Sequence, residues 1–160
     1  MNKKKLKYRV TYLEMNRKPS FDWPKNLKHK LSILLAESFP AWYFLFFYKQ
    51  VGKNYYWTDW LRKSEDEIDE FVNDKNVLLY TLIKDGWPVG FYMLDYRKKD
   101  ICDLSFFGLV DEVIGIGLGK YLLQTAILTA WDSKRIKKLK NGKKIFLKFD
   151  FIKSKSGYLI

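Results

Sequence analysis

Three glycines at alternate positions, Gly115, Gly117 and Gly119, run directly into the apolar segment Tyr121-Leu-Leu123. A strand-like stretch, Asp103 to Val110, precedes them. A strand, a glycine-rich turn and a helix start together form an anion-binding device. Glycine lets the backbone come close to a ligand, and the first helical N–H groups point at it. The chemistry this spacing suggests is the holding of a phosphate or diphosphate by peptide groups. A tight strand-to-helix turn with no ligand would use the same glycines, and spacing alone leaves both readings open.

Two common phosphate motifs fail on spacing. A P-loop needs Gly, four residues, then Gly-Lys-Ser/Thr. Here Gly119-Lys120 is followed by Tyr121, and Ile114 stands where the first glycine should be. A dinucleotide fingerprint needs Gly-x-Gly-x-x-Gly. Starting at Gly115 it would require glycine where Lys120 stands. Other reactive side chains are scarce. Cys102 is the one cysteine, so no disulfide framework is expected, and its place in a strand pattern suits a small buried hydrophobe better than a nucleophile. His29 is the one histidine. So few soft ligands argue against a zinc or iron site, and a Ser-His-Asp triad would depend on His29 alone.

The elements that must position the turn can be read from periodicity. Lys5 to Glu14 alternates apolar and polar residues as a strand does. Arg17 to Pro24 is a loop. Lys25 to Glu37 carries Leu27, Leu31, Leu34 and Leu35 at helical spacing. Pro40 opens a second helix through Val51, closed by Gly52, whose aromatics read as core. Ser64-Glu-Asp-Glu67 reads as a capping box, with acids placed for the helix dipole and Ile68, Phe71 and Val72 as the buried stripe. Val77 to Ile83 and Val89 to Tyr96 are strands joined by an Asp85-Gly86 hairpin turn. Arg97 to Asp100 turns into the central strand, Ile101 to Val110. Gly117 to Asp132 is an amphipathic helix, with Leu122, Leu123, Ala126, Ile127, Ala130 and Trp131 toward the sheet. Lys144 to Ile152 alternates as a last strand. The order predicts an α+β or mixed α/β domain, and the closing strand–helix–strand sets two neighbouring strands parallel.

With 160 residues, 48% hydrophobic and 18% aromatic, the chain is expected to fold as one domain rather than a disordered tail. No segment approaches the ~20 apolar residues of a membrane span. Residues 1–7 start like a signal peptide but lack its apolar core, so the expected location is cytoplasmic, with no membrane partner. The net charge is +12, and Lys134 to Lys155 holds ten Lys or Arg against one acid, Asp150. That stretch could face CoA or nucleic acid. A solvated face in a lysine-heavy chain explains it better than nucleic acid does.

The text around the glycines carries more. Phe106 to Leu123 resembles the central motif of GNAT-type N-acetyltransferases, in which Gln/Arg-x-x-Gly-x-Gly/Ala follows a strand and opens a helix; Gly117 and Gly119 match its glycines. Tyr56-Trp-Thr-Asp59, Gly90-Phe-Tyr-Met-Leu-Asp95, Phe107-Gly-Leu109 and the turn follow in the order of one bacterial subgroup. The resemblance covers roughly residues 40 to 133. It implies a GNAT-like central mixed sheet, mostly antiparallel with one parallel strand pair, flanked by helices. It also implies acetyl-CoA as co-substrate, without a metal, and a small-molecule or peptide amine as acceptor. By the same resemblance, the pantetheine arm would pair with the backbone of Phe107, Gly108 and Leu109. The pyrophosphate would lie on Ile114, Gly115, Ile116, Gly117, Leu118, Gly119 and Lys120. Asp103 aligns with an acid frequent on the central strand and is the first candidate for general base, with Asp95 second. Structural roles, a solvated acid and a turn former, stand beside these. Tyr55, Tyr56, Trp57 and Asp59 fall in the segment that lines the acceptor cleft in the family, or else form core and loop.

The sequence also departs from the pattern. Ile114 stands where Gln or Arg is usual, Ile116 replaces an arginine of the subgroup, and Met93 stands where an acid is expected. The family's last helix and two strands have no counterpart after about residue 152, within the expected 1–160 domain. Two rival readings follow: a non-catalytic acyl-CoA-binding GNAT-like protein, and a basic nucleic-acid binder. A sheet edge left exposed by the short C-terminus would invite a homodimer.

Overall fold

The structure, a computed structural model, describes residues 13–25 and 29–141. Its elements are β1 (Leu13–Met15), β2 (Leu31–Ala36), α1 (Ala41–Gly52), α2 (Glu65–Val72), β3 (Val77–Lys84), β4 (Trp87–Asp95), β5 (Ile101–Leu109), α3 (Leu118–Ser133) and β6 (Lys138–Asn141), with 3₁₀ turns at Trp60–Arg62 and Asp111–Val113. The strands form one mixed sheet in the order β1-β6-β5-β4-β3-β2. The pair β5–β6 is parallel and the other neighbours are antiparallel.

Helices cover both faces. On one face α1 and α2 bury Phe44, Phe47, Tyr48, Val51, Ile68 and Phe71 against Leu79, Phe91, Met93 and Phe106. The aromatics of α1 are core, as their spacing suggested: Phe47 stacks on Phe91 at 5.0 Å, and the Phe44 ring lies 5.1 Å from that of Phe106. On the other face α3 sets Leu118, Leu122, Ala126, Ile127 and Ala130 against Tyr92, Leu94, Leu104, Phe107 and Leu109. The box at Ser64 forms as read, with Glu67 N–H donating to Ser64 Oγ and Ser64 N–H to Glu67 Oε2. The turn at Asp85-Gly86 has both residues at positive φ, 51° and 91°, which suits a two-residue hairpin.

Two expectations change. Residues 31–36, read as part of a helix, are β2, paired with β3 along its whole length from Leu31↔Lys84 to Ala36↔Leu79. Their leucines match a helical stripe, but Leu34 and Leu35 are both exposed, so no buried helix face ever existed here. Long-range pairing to a strong neighbour strand overrides local periodicity. The parallel partner of β5 is Lys138–Asn141, inside the basic stretch, and the strand expected at 144–152 lies outside the described residues. Of the strand expected at 5–14, only residues 13 and 14 are described, within β1. That strand pairs antiparallel with β6, Leu13↔Asn141 to Met15↔Leu139.

Candidate active site

The central strand β5 carries an irregularity that shapes its exit. Met93 pairs with Phe106 and Leu94 with Leu104, leaving Ser105 as an extra, unregistered residue. A bulge of this kind bends its strand and re-aims the residues after it. Beyond it, Gly108 faces α1 so closely that a Cβ would lie 2.2 Å from Val51 Cγ1. Phe107 and Leu109 face α3. Val110 N–H donates to Val89 O, so the alternation of an antiparallel ladder directs the Gly108 peptide groups to Phe91 and those of Phe107 and Leu109 to the β6 side. Described β6 pairing covers Ile101 to Asp103 of β5.

The strand then enters the glycine turn. Val110 and Val113 are buried and anchor it, while Ile114, Gly115, Ile116 and Gly117 are exposed. Gly115 and Gly117 sit at φ 92° and 89°, where a side chain is strained, and no atom lies within 4 Å of an added Cβ at either. Gly117 is the N-cap of α3 and no side chain caps it. The N–H groups of the first helical turn have no intrahelical acceptor, so a diphosphate at this turn would find peptide donors, the helix dipole and the exposed Lys120 together.

The residues expected to line the acceptor cleft lie in the segment after α1. Gly52 O accepts from Tyr55 N–H at 2.9 Å and Trp57 N–H at 3.3 Å, folding the chain back on the helix end. A Cβ on Gly52 would strike the Trp57 side chain at 2.4 Å, so glycine is required for that fold. Trp57 turns inward, its ring 5.3 Å from Tyr48 and 5.8 Å from Phe106 of β5. Tyr55 is half-buried, and Tyr56, at φ 56°, projects into solvent. Asp59 is exposed and opens the 3₁₀ turn at Trp60.

This segment is tied to the glycine turn by a contact no local pattern announced. Asn54 Nδ2 donates to Asp111 Oδ2 at 2.7 Å, and Lys53 Nζ lies 3.1 Å from the same oxygen. Fifty-seven positions separate Asn54 from Asp111, beyond the reach of any periodicity. The bulge at Ser105 was equally silent in the sequence.

Asp95 and Asp103 are register partners on β4 and β5. Asp103 lies six residues before Leu109, roughly 20 Å of strand at ~3.3 Å per residue. Ser105 Oγ donates to Asp103 Oδ2 at 3.4 Å. Arg97 grips the Asp95 carboxylate through Nε and Nη2, the latter at 2.7 Å, and stacks over Phe71. Cys102 is fully buried, and burial pushes its thiol up to about 12, the state of an inert core residue. No group of three or more His, Cys, Asp or Glu among the described residues could hold a metal. No described helix is long and apolar enough to cross a membrane. In the described part of the basic stretch, Lys134 binds Asn76, Lys137 binds Asp100, and Lys138 and Lys140 both bind Glu14.

No family model and no curated protein sequence matches the chain. Solved structures do. A GCN5-related N-acetyltransferase from Kribbella flavida superposes with a TM-score of 0.57 at 13% identity, over 84% of this chain and 50% of that one. The chain has the fold of the GNAT acetyltransferases. A second GNAT-fold match is an aminoglycoside acetyltransferase from an uncultured soil metagenomic sample, solved with sisomicin: TM-score 0.56, 13% identity, 71% of this chain and 78% of that one. A third is the aminoglycoside N-acetyltransferase AAC(6')-Iy in complex with CoA, with a TM-score of 0.52 at 12% identity, over 76% and 82%. The present chain spans half the length of the Kribbella flavida protein. The mixed sheet with one parallel pair and helices on both faces agrees with the fold implied by the sequence resemblance.

Proposed function

We propose that this chain is an N-acetyltransferase that moves an acetyl group from acetyl-CoA to a primary amine of a small molecule or peptide. The observation that carries the reading is the exposed turn Ile114–Gly117, with both glycines left-handed, leading from β5 into the uncapped N-terminus of α3. Its peptide donors suit a diphosphate, and a structural neighbour of the same fold was solved with CoA. In this reading the pantetheine arm runs along the β6 side of Phe107 to Leu109. The turn from Ile114 through Gly119 holds the pyrophosphate, and Lys120 adds a cation.

The acceptor would enter beside Tyr55, Tyr56, Trp57 and Asp59, since Trp57 and Asn54 bring that segment against β5 and the turn. Its amine must be neutral to attack. The nitrogen lone pair adds to the thioester carbonyl, the C–N bond forms, the C–S bond breaks, and CoA leaves as thiolate. Asp103 is the proposed proton acceptor. Asp95, held by two guanidinium nitrogens, is the weaker candidate because a carboxylate paired with arginine is a poor base.

Thermal unfolding tests the reading. A ligand that binds the native state alone raises its stability by mass action, by about 2.7 kcal/mol at a hundredfold excess over Kd. Acetyl-CoA and CoA should raise Tm while NAD and ATP do not. No rise with acetyl-CoA or CoA, in a chain that unfolds cooperatively, would refute it.

A further inference from the structure

Among the described residues, β2 is an edge strand of the sheet and no described strand pairs with its outer side. Edge strands are normally protected by charge, proline, a bulge or short length. Leu31-Ser-Ile-Leu-Leu-Ala36 has none of these: six residues, no charge, no proline, and an unbroken register with β3. The opposite edge of the sheet shows the protection that β2 lacks. There the described part of β1 carries Glu14, a charge held by Lys138 and Lys140.

Both faces of β2 are apolar and only partly covered. Leu34 is the register partner of Thr81, whose hydroxyl bonds Tyr43 of α1, so Leu34 lies on the α1 face; it is 55% exposed. Leu35 partners Tyr80, which packs with the α3-side core, and it is 41% exposed. Apolar residues on both faces fit a sheet covered on both faces, and the exposure of Leu34 and Leu35 leaves that cover incomplete at this edge.

The backbone fixes which groups point outward. Asp85 N–H donates to Lys30 O, so Lys30 belongs to a hydrogen-bonded pair. Alternation then gives the even residues of β2 to β3 and turns the peptide groups of Leu31, Ile33 and Leu35 away from it. A twofold axis normal to the sheet at Ile33 pairs this triad with itself: Ile33 with Ile33, Leu31 with Leu35. It keeps each side chain on its own face and brings Glu37 of one copy beside His29 and Lys30 of the other. A strand that is self-complementary in hydrogen bonds, apolar side chains and charge fits a second copy of itself.

We propose that the chain forms a homodimer by antiparallel pairing of β2 across a twofold axis at Ile33, joining two six-stranded sheets into one. The proposal is independent of the transferase reading, because β2 is at the far edge from β6.

Sedimentation equilibrium of the full 160-residue chain over a range of concentrations tests it. The expected result is a concentration-dependent dimer. The Leu34→Lys/Leu35→Lys double variant alters two exposed side chains, so it should keep its circular dichroism and cooperative unfolding yet sediment as a monomer. Ile33→Cys adds a second reading: opposite Cα atoms in such a pair lie ~5.5 Å apart, within disulfide reach, whereas copies of residue 35 lie well beyond it. Mild oxidation should therefore cross-link I33C but not L35C. A monomer at every concentration, a dimer unaffected by the double lysine variant, or cross-linking of L35C in place of I33C would overturn the proposal.

Discussion

The side chain of Asn54 donates to Asp111 Oδ2 at 2.7 Å, joining the loop after α1 to the residue that begins the descent into the glycine turn. Lys53 Nζ reaches the same oxygen at 3.1 Å. The pair of segments proposed to hold acceptor and cofactor is thus fastened at one carboxylate. Because these groups are partly exposed, solvent screens the ion pair, and Asp111→Ala should cost stability by only about 0.5–1 kcal/mol. Its expected effect is on the acceptor: KM for the amine rises while kcat is largely kept, and Asp111→Asn, which preserves an acceptor oxygen for Asn54, restores most of it. Steady-state kinetics beside a denaturation curve check both parts.

Gly108 is the point where α1 rests on β5. A Cβ there would fall 2.2 Å from Val51 Cγ1. Overpacking a filled core typically costs about 1–3 kcal/mol, and Gly108→Ala should fall in that range. Val51→Ala removes the opposing methyl. The double variant should therefore be more stable than Gly108→Ala alone, which chemical denaturation would show.

Gly117 has open space around a Cβ, yet its φ of 89° is left-handed. Gly117→Ala should cost about 1–2 kcal/mol from backbone conformation alone. If the turn binds a diphosphate, the same variant weakens acetyl-CoA binding beyond what the stability loss explains, because the donor N–H groups that follow are re-aimed. Isothermal titration with CoA, at a temperature where both proteins are fully folded, separates the two effects.

Burial pushes the Cys102 thiol from an ordinary 9.0 up to about 12. The native state then holds its proton where the unfolded chain has lost it. Stability from this group is complete below pH 9 and declines as pH rises from 9 toward 12. Iodoacetamide should leave the folded protein unlabelled at pH 8 and modify it once denatured, with mass spectrometry as the readout.

Much of the fold was legible locally. The capping box at Ser64, the Asp85-Gly86 hairpin and the alternation of β3, β4 and β5 are short-range signals, each set by contacts within a few residues or between chain neighbours. The glycine turn was legible because backbone near φ 90°, as at Gly115 and Gly117, strongly favours glycine. Residues 31–36 misled because leucines four, seven and eight positions apart satisfy a helix, while the choice of strand rests with β3, some fifty positions away. The segment at β6 was too basic to read as a strand, and its strand character comes from lying between β5 and β1.

The sequence by itself determined the turn, its helix and the antiparallel meander before it, since those depend on the conformational limits of glycine and on apolar periodicity. Only the tertiary structure decided that Asp111 receives Asn54 and Lys53, that Asp95 is held by Arg97, that Ser105 stands out as a bulge, and that β2 is an apolar edge. The physical reason is that a side chain's chemistry depends on which partners share its space. Chain positions as far apart as 54 and 111 meet only when the sheet brings them together.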